Sequence, residues 1–287
     1  MQAHPKTRLD LAAARDLAGE IRRAVVKMTH RAGSSHVGSA LSAADLLAAL
    51  YSGVLRVDPA APCAAERDRF ILSKGHACAA LYAALAARGF FPKSWLRDFC
   101  QGGSPLAGHA THHGVPGVEV STGSLGHGLS IGCGLALAAK KDLAPYRVFV
   151  LLSDGECDEG SVWEAALFAA HHSLDNLVAI VDYNKMQSLG AVDEVLRLEP
   201  FAAKWRAFGW SVAEINGHDM RQIAATLERL PREPAAPTLL LAHTVKGSGV
   251  SFMENNLLWH YRSPDAAELG QALAEISQAL IGREAER

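Results

Sequence analysis

The sequence predicts an α/β fold with a mostly parallel central sheet and helices on both of its faces. Two runs carry this expectation, 147–153 (RVFVLLS) and 177–182 (LVAIVD). Both are short, aliphatic and almost uninterrupted, as strands covered on both faces are. The segment 160–173 between them reads as a helix, which supplies the crossover that parallel strands require. A third observation places function on this frame. Asp154-Gly155-Glu156 closes the first run, and Asn184 follows the second, thirty positions after Asp154. Ligands of parallel sheets bind outside the carboxyl ends of the strands, where these residues fall.

The remaining elements follow in chain order. Segment 9–31 is an amphipathic helix, with Leu9, Ala13, Leu17, Ile21 and Val25 near helical spacing. Ser42 reads as the N-cap of a helix running through Asp45 to Leu50. Segment 76–88 is a helix of small residues suited to close packing. Segment 102–117 is a Gly- and His-rich loop with no apolar period, and loops of that length usually carry function. Segment 126–141 is a second Gly/Ala helix. Strands at 210–215 and 238–243 flank a helix at 220–230, with PREPAAP (231–237) as a connector. Segment 265–281 closes the chain as a helix, and the last few residues are expected to fray. No shift in composition marks a boundary, so residues 1–287 read as one domain with peripheral helices at its two ends.

Composition excludes several classes. At 49% hydrophobic residues the chain can bury a substantial core, and a formal charge of −2 gives no bulk attraction to nucleic acid or an anionic membrane. Cys63, Cys78, Cys100, Cys133 and Cys157 form no C-x-x-C pair and no zinc spacing, so they read as small core residues of a reducing compartment. Cys157, in the acidic loop, reads as packing rather than as a reactive thiol. The start MQAHPKTRLD lacks a signal pattern, and no run reaches the ~18 apolar residues of a membrane span, so a cytoplasmic protein is expected. No G-x-G-x-x-G follows an early strand, which argues against a dinucleotide-binding dehydrogenase.

The strand ends suggest a metal-bridged diphosphate. Asp154 and Asn184 offer one carboxylate and one amide oxygen, hard donors that suit Mg²⁺, with Ca²⁺ or Mn²⁺ as alternatives. Gly155 lets the backbone approach a phosphate, and the helix beginning near Gly160 adds a favourable dipole for an anion. Asp154 is expected on a surface loop. Among thirteen histidines, His4, His30, His171, His172 and His218 read as surface or structurally bonded residues. His36, His76, His109 and His260 instead occupy Gly-flanked or loop positions.

Eight signals stand collinear: Ser34-Ser35-His36-Val37-Gly38; the run 68–77 (DRFILSKGHA); Gly108-His109; the run 117–128 (GVEVSTGSLGHG); Asp154-Gly155 with Glu159-Gly160; Asp182-Tyr183-Asn184-Lys185; Lys246-Gly247; and Trp259-His260. Over about 20–262 this order resembles the amino-terminal, diphosphate-binding domain of the transketolases. Ser153 stands where the family's metal motif has its first Gly, and His127 where a Gln is common. The resemblance implies the thiamine-diphosphate-binding fold, with thiamine diphosphate and Mg²⁺ as cofactors. It implies metal contacts from Asp154, Asn184 and the main-chain oxygen of Met186. Cofactor contacts are implied for His76, Gly123, Ser124, Leu125, Asp154, Gly155, Glu156, Asn184 and His260. Substrate proton transfer and oxyanion contacts are implied for His36 and His260, with His76 near the diphosphate and His109 facing sugar hydroxyls. Glu159, grouped with these catalytic residues, and Glu164 would lie at a subunit interface that connects two cofactor sites.

A full transketolase continues into a pyrimidine-binding domain and a third domain, whereas this chain stops at Arg287. The resemblance therefore implies the small subunit of a split transketolase, which transfers a two-carbon ketol unit from a ketose or ketose phosphate to an aldose or aldose phosphate. Its partner would carry the pyrimidine domain and the activating glutamate, in an α2β2 heterotetramer. The alternative readings are one chain of a deoxyxylulose-phosphate-synthase-like enzyme and a non-catalytic assembly subunit.

Overall fold

Five strands, β1 (Arg69–Leu72), β2 (Val148–Ser153), β3 (Leu177–Tyr183), β4 (Ser211–Asn216) and β5 (Thr238–His243), form one parallel sheet in the order β1-β2-β3-β5-β4. They belong to a computed structural model that describes residues 9–284. Every residue of β2 and β3 is buried, which explains their uninterrupted apolar composition. Register sets Ser153 beside Asp182 and Asp182 beside Ala242, so three strands end at one level.

The sequence reading did not assign β1, whose four residues are too few to establish a period. It is pinned by the residue before it. Asp68 is wholly buried and accepts from Arg56 Nη2 at 2.7 Å, Arg147 Nη2 at 2.6 Å and the Arg147 N–H at 2.9 Å. These contacts lock the entry of β1 onto that of β2 and hold the Asp68 carboxyl below its ordinary pKa despite burial.

Alternating strand residues serve two cores. Phe70, Phe149, Leu151, Val178 and Leu240 pack with α1 (Leu11–Ala32), α2 (Val37–Ser42), α3 (Ala44–Ala49), α4 (Cys78–Ala87) and α9 (Met220–Leu227). Ile71, Val150, Leu152, Val181 and Leu241 pack with α5 (His127–Lys141), α6 (Gly160–His171) and α8 (Phe201–Ala207). The short α7 (Val192–Val195) and α8 were not anticipated, and α10 (Ala266–Glu284) closes the described chain.

Several expectations need correction. α1 is not peripheral, because Ala14, Ala18, Ile21 and Val25 are wholly buried in the helical layer. Ser42 is not an N-cap. It ends α2, its hydroxyl donates to Asp182 Oδ2 at 2.5 Å, and it accepts no N–H of the following turn. Cys63 and Cys100 are exposed; only Cys78, Cys133 and Cys157 are core residues. Burial pushes the Cys157 thiol well above its ordinary pKa, consistent with packing. Among the described residues no helix is long and apolar enough to cross a membrane. His4 and the final three residues, expected to fray, lie outside the described residues.

Candidate active site

The carboxyl ends of β1, β2, β3 and β5 meet at one crevice. β1 delivers Lys74 and His76, β2 Asp154, β3 Asn184 and Met186, and β5 Lys246, while β4 leads to His218, which bonds to Asp45 and the Val245 N–H. The loop before α2 adds His36, the turn Leu257–His260 adds His260, the long Gly/His loop adds His109, and the segment leading into α5 adds the 123–125 turn.

Three imidazoles form the centre of the crevice. Ring centroids are 5.0 Å apart for His36 and His260, 5.2 Å for His36 and His76, and 5.7 Å for His76 and His260. His109 lies 5.7 Å from His36, at the exposed edge. His36 occupies the left-handed backbone region at φ 71°, and its N–H donates to the His260 carbonyl at 2.9 Å. A non-glycine residue holds that conformation only when its surroundings enforce it. Desolvation, then His109 and Lys246, lowers the His36 pKa to about 4. Desolvation, then Lys246, lowers that of His260 to about 3, and His76 is also well below its ordinary value through burial and Lys74. All three are therefore neutral at physiological pH and able to accept a proton.

Lys246 joins this cluster, a residue that sequence reasoning noted but gave no role. The residue is 1% exposed. Its ammonium donates to Met186 O at 3.0 Å and His260 Nδ1 at 3.0 Å, and among the described residues it has no carboxylate ion-pair partner. Burial and Lys74 pull its pKa to about 8. A Lys-Gly pair directly beyond an apolar strand was the available signal. By contrast, the equally buried Lys74 is neutralised by Asp182, which also accepts from Ser42 and Thr244.

On the other side of the crevice, Asp154 is 1% exposed, a buried carboxylate rather than the surface-loop ligand expected. Its oxygens accept the Gly155 N–H at 2.8 Å and the Lys185 N–H at 2.6 Å, and among the described residues no side-chain cation contacts them. Burial, then Asp182, raises its pKa to about 7. Asn184 is also buried, and its Oδ1 accepts the Met186 N–H at 3.1 Å. Among the described residues no cluster of three His, Cys, Asp or Glu side chains is arranged to hold a metal. The available donor set is thus one carboxylate, one amide and main-chain carbonyls, which fits Mg²⁺ completed by phosphate and water. A buried carboxylate without a cation and a buried ammonium without a carboxylate, close enough to influence one another electrostatically, suit a metal-bound anion.

Among the residues expected to contact the cofactor, the Glu156 side chain is turned away. Glu156 is wholly buried, and its carboxylate accepts from Ser73 Oγ, the Gly126 N–H at 2.9 Å and the Ser153 N–H at 3.3 Å. It ties β1, β2 and the start of α5 together instead of facing the crevice. Gly123 is close-packed against His109, since a Cβ there would lie 3.0 Å from the ring Cδ2. Ser124 and Leu125 continue that turn into α5, and both their carbonyls lie within 3.3 Å of His127 Nδ1. Glu159 is exposed at the N-terminal end of α6, beside Gly126, with Glu164 exposed further along.

The parallel sheet, its crevice and the donor set define a diphosphate-binding α/β domain. Residues 13–276 match the family model described as transketolase, thiamine diphosphate binding domain. The chain is 44% identical over 259 residues to one of the subunits of the apulose-4-phosphate transketolase of Phocaeicola vulgatus, covering 90% of this chain and 92% of that one. It is 42% identical to a 6-deoxy-6-sulfo-D-fructose transketolase subunit of a Clostridium species, covering 91% and 95%. The transketolase structure from Campylobacter jejuni superposes with a TM-score of 0.86 at 31% identity, covering 92% of this chain and 43% of that one. The chain belongs to the transketolase family, as its thiamine diphosphate-binding domain. It matches split-enzyme subunits almost end to end and spans less than half of a full-length transketolase.

Proposed function

We propose that this chain is the diphosphate-binding subunit of a two-chain, cytoplasmic transketolase that moves a two-carbon ketol unit from a ketose to an aldose. The observation that carries the reading is a buried Lys246 ammonium, 3.0 Å from His260 in a cluster of three imidazoles, and a buried Asp154 carboxylate, neither with an ion-pair partner among the described residues. Asp154, Asn184 and the Met186 carbonyl would hold Mg²⁺. Lys246, His76, His260 and the 123–125 turn would hold thiamine diphosphate. The bound cofactor supplies carbanion chemistry, and the protein supplies binding, orientation and proton management.

His36 and His260 receive the proton from the donor hydroxyl as the carbon–carbon bond breaks, and return one to the acceptor oxygen as the new bond forms. Each imidazole begins unprotonated, as a proton acceptor must, and the charge of bound substrate and cofactor would raise its basicity toward the useful range. His109, at the exposed edge, contacts sugar hydroxyls. The chain acts as one diphosphate-binding domain, with a pyrimidine-domain partner completing each site. The exposed face of α5 and α6 presents Ile131, Leu167 and Phe168, with Leu167 59% exposed, and this face supports pairing of two copies within an α2β2 assembly. Glu159 and Glu164 border this face and act there.

The relatives' names specify different ketoses, so the shared chemistry is ketol transfer rather than one particular sugar. Isotope tracing tests it. With a ketose carrying ¹³C at both C1 and C2, the reconstituted complex should yield a longer sugar with an intact ¹³C–¹³C pair. Release of CO₂ from a 2-oxo acid without transfer of that pair would indicate synthase chemistry instead.

A further inference from the structure

His218 lies outside the imidazole cluster, yet it is built into the support of Lys246. Its ring is bonded on both sides. Nδ1 lies 2.8 Å from Asp45 Oδ2, and the Val245 N–H approaches Nε2 at 2.8 Å. A backbone N–H can only donate, so Nε2 is the unprotonated nitrogen, and Nδ1 carries the hydrogen that Asp45 accepts. Asp45 is itself 4% exposed and held by a bidentate contact from Arg22, at 3.0 Å and 2.6 Å. The same guanidinium donates through Nε to the Ser248 carbonyl at 3.0 Å. Val245 and Ser248 bracket Lys246, so one network grips its loop on both sides. The seat is close-packed as well. A Cβ on Gly217, beside His218, would lie 2.4 Å from Thr244 Cγ2, so only glycine allows the β4 and β5 ends this near one another.

We propose that His218 is a positioning residue that sets, through the Val245 N–H, the main chain from which Lys246 reaches the cofactor diphosphate. Asp45 fixes the required tautomer, and Arg22 fixes Asp45 and the far side of the loop. The arrangement follows the logic of outer partners that orient a ligating group, where loss of the partner costs roughly 10–100-fold in affinity. This inference rests on the diphosphate role given to Lys246 above. It adds a specific role for His218, which the sequence alone reads as a surface or structurally bonded residue.

Two near-isosteric substitutions separate positioning from general stability. His218→Asn retains a donor toward Asp45 and loses the acceptor for Val245; His218→Gln retains an acceptor that reaches Val245. In the full chain, hydrogen exchange over residues 244–249 should rise at least tenfold in His218→Asn and stay near wild type in His218→Gln. In the complex with the partner subunit, thiamine diphosphate affinity at saturating Mg²⁺ should fall about tenfold in the first variant and be largely retained in the second. On the wild-type chain, ¹⁵N shifts of the imidazole should show the Nδ1–H tautomer, a reading that needs no variant to fold. An Nε2–H tautomer, equal behaviour of Asn and Gln, or lowered melting temperatures with unchanged affinity would overturn the proposal. Lys246→Met separates the two levels. If the loop loosens as expected but Lys246→Met binds cofactor normally, the diphosphate role of Lys246 fails and not the tether.

Discussion

Asp154→Asn abolishes Mg²⁺-dependent binding of thiamine diphosphate while the chain remains folded. The substitution keeps the volume and an acceptor oxygen for one of the two N–H groups, Gly155 and Lys185, that the two Asp154 oxygens now satisfy separately. Alanine would leave both donors unpaired in a buried site, at about 1–3 kcal/mol each, and would confuse folding with binding. The neutral amide has no charge to offer a divalent cation, so the metal that Asp154 would hold, and with it the charge balance for a diphosphate, should be lost. At 100 times its dissociation constant the cofactor should stabilise the wild-type complex by about 2.7 kcal/mol. In Asp154→Asn that increment should vanish, with the cofactor-free chain still folded but melting lower by the cost of the one N–H left without an acceptor. Titration calorimetry giving equal cofactor affinity for both proteins would remove Asp154 from the metal site.

His36→Ala should lower kcat by roughly 10²–10⁴ in the complex with the partner, the usual contribution of a positioned acid–base group. Cofactor affinity should change little, because the residues assigned to the diphosphate come from the strand ends and the 123–125 turn. Position 36 adds a complication, since its φ of 71° disfavours alanine. His36→Asn is the matched control, because asparagine tolerates the left-handed region but lacks the imidazole. Both variants should lose turnover, and Asn should melt higher than Ala. Normal kcat in His36→Asn, with only its melting temperature lowered, would make His36 a structural residue.

Legibility in the sequence followed burial and locality. β2 and β3 were readable because both faces are covered, which leaves an unbroken apolar signature ending in the polar residues of the site. β1 was not, since its position depends on Asp68 engaging Arg56 and Arg147, a contact spanning 79 positions in the latter case. Ser42 failed as a cap for the same reason: its hydroxyl serves Asp182, 140 positions away, and no local rule contains that partner. Asp154, Asn184 and the four histidines were legible as types at strand ends and in glycine-rich loops. Their protonation was not, because the low pKa values arise from mutual burial with Lys74 and Lys246. Glu156 shows the converse limit. Adjacent to a phosphate-binding motif, it reads as a cofactor contact, yet its carboxylate is spent on Ser73, Gly126 and Ser153.

The central claim is that this chain supplies one half of a transketolase active site. Its most direct test compares ketol transfer by the rigorously purified chain with transfer by the same chain mixed with a pyrimidine-domain partner, both with thiamine diphosphate and Mg²⁺. The mixture should turn over at roughly 1–10³ s⁻¹, the common range for enzymes, and the chain alone should show no transfer above background. Robust ketol transfer by the lone chain would contradict the account.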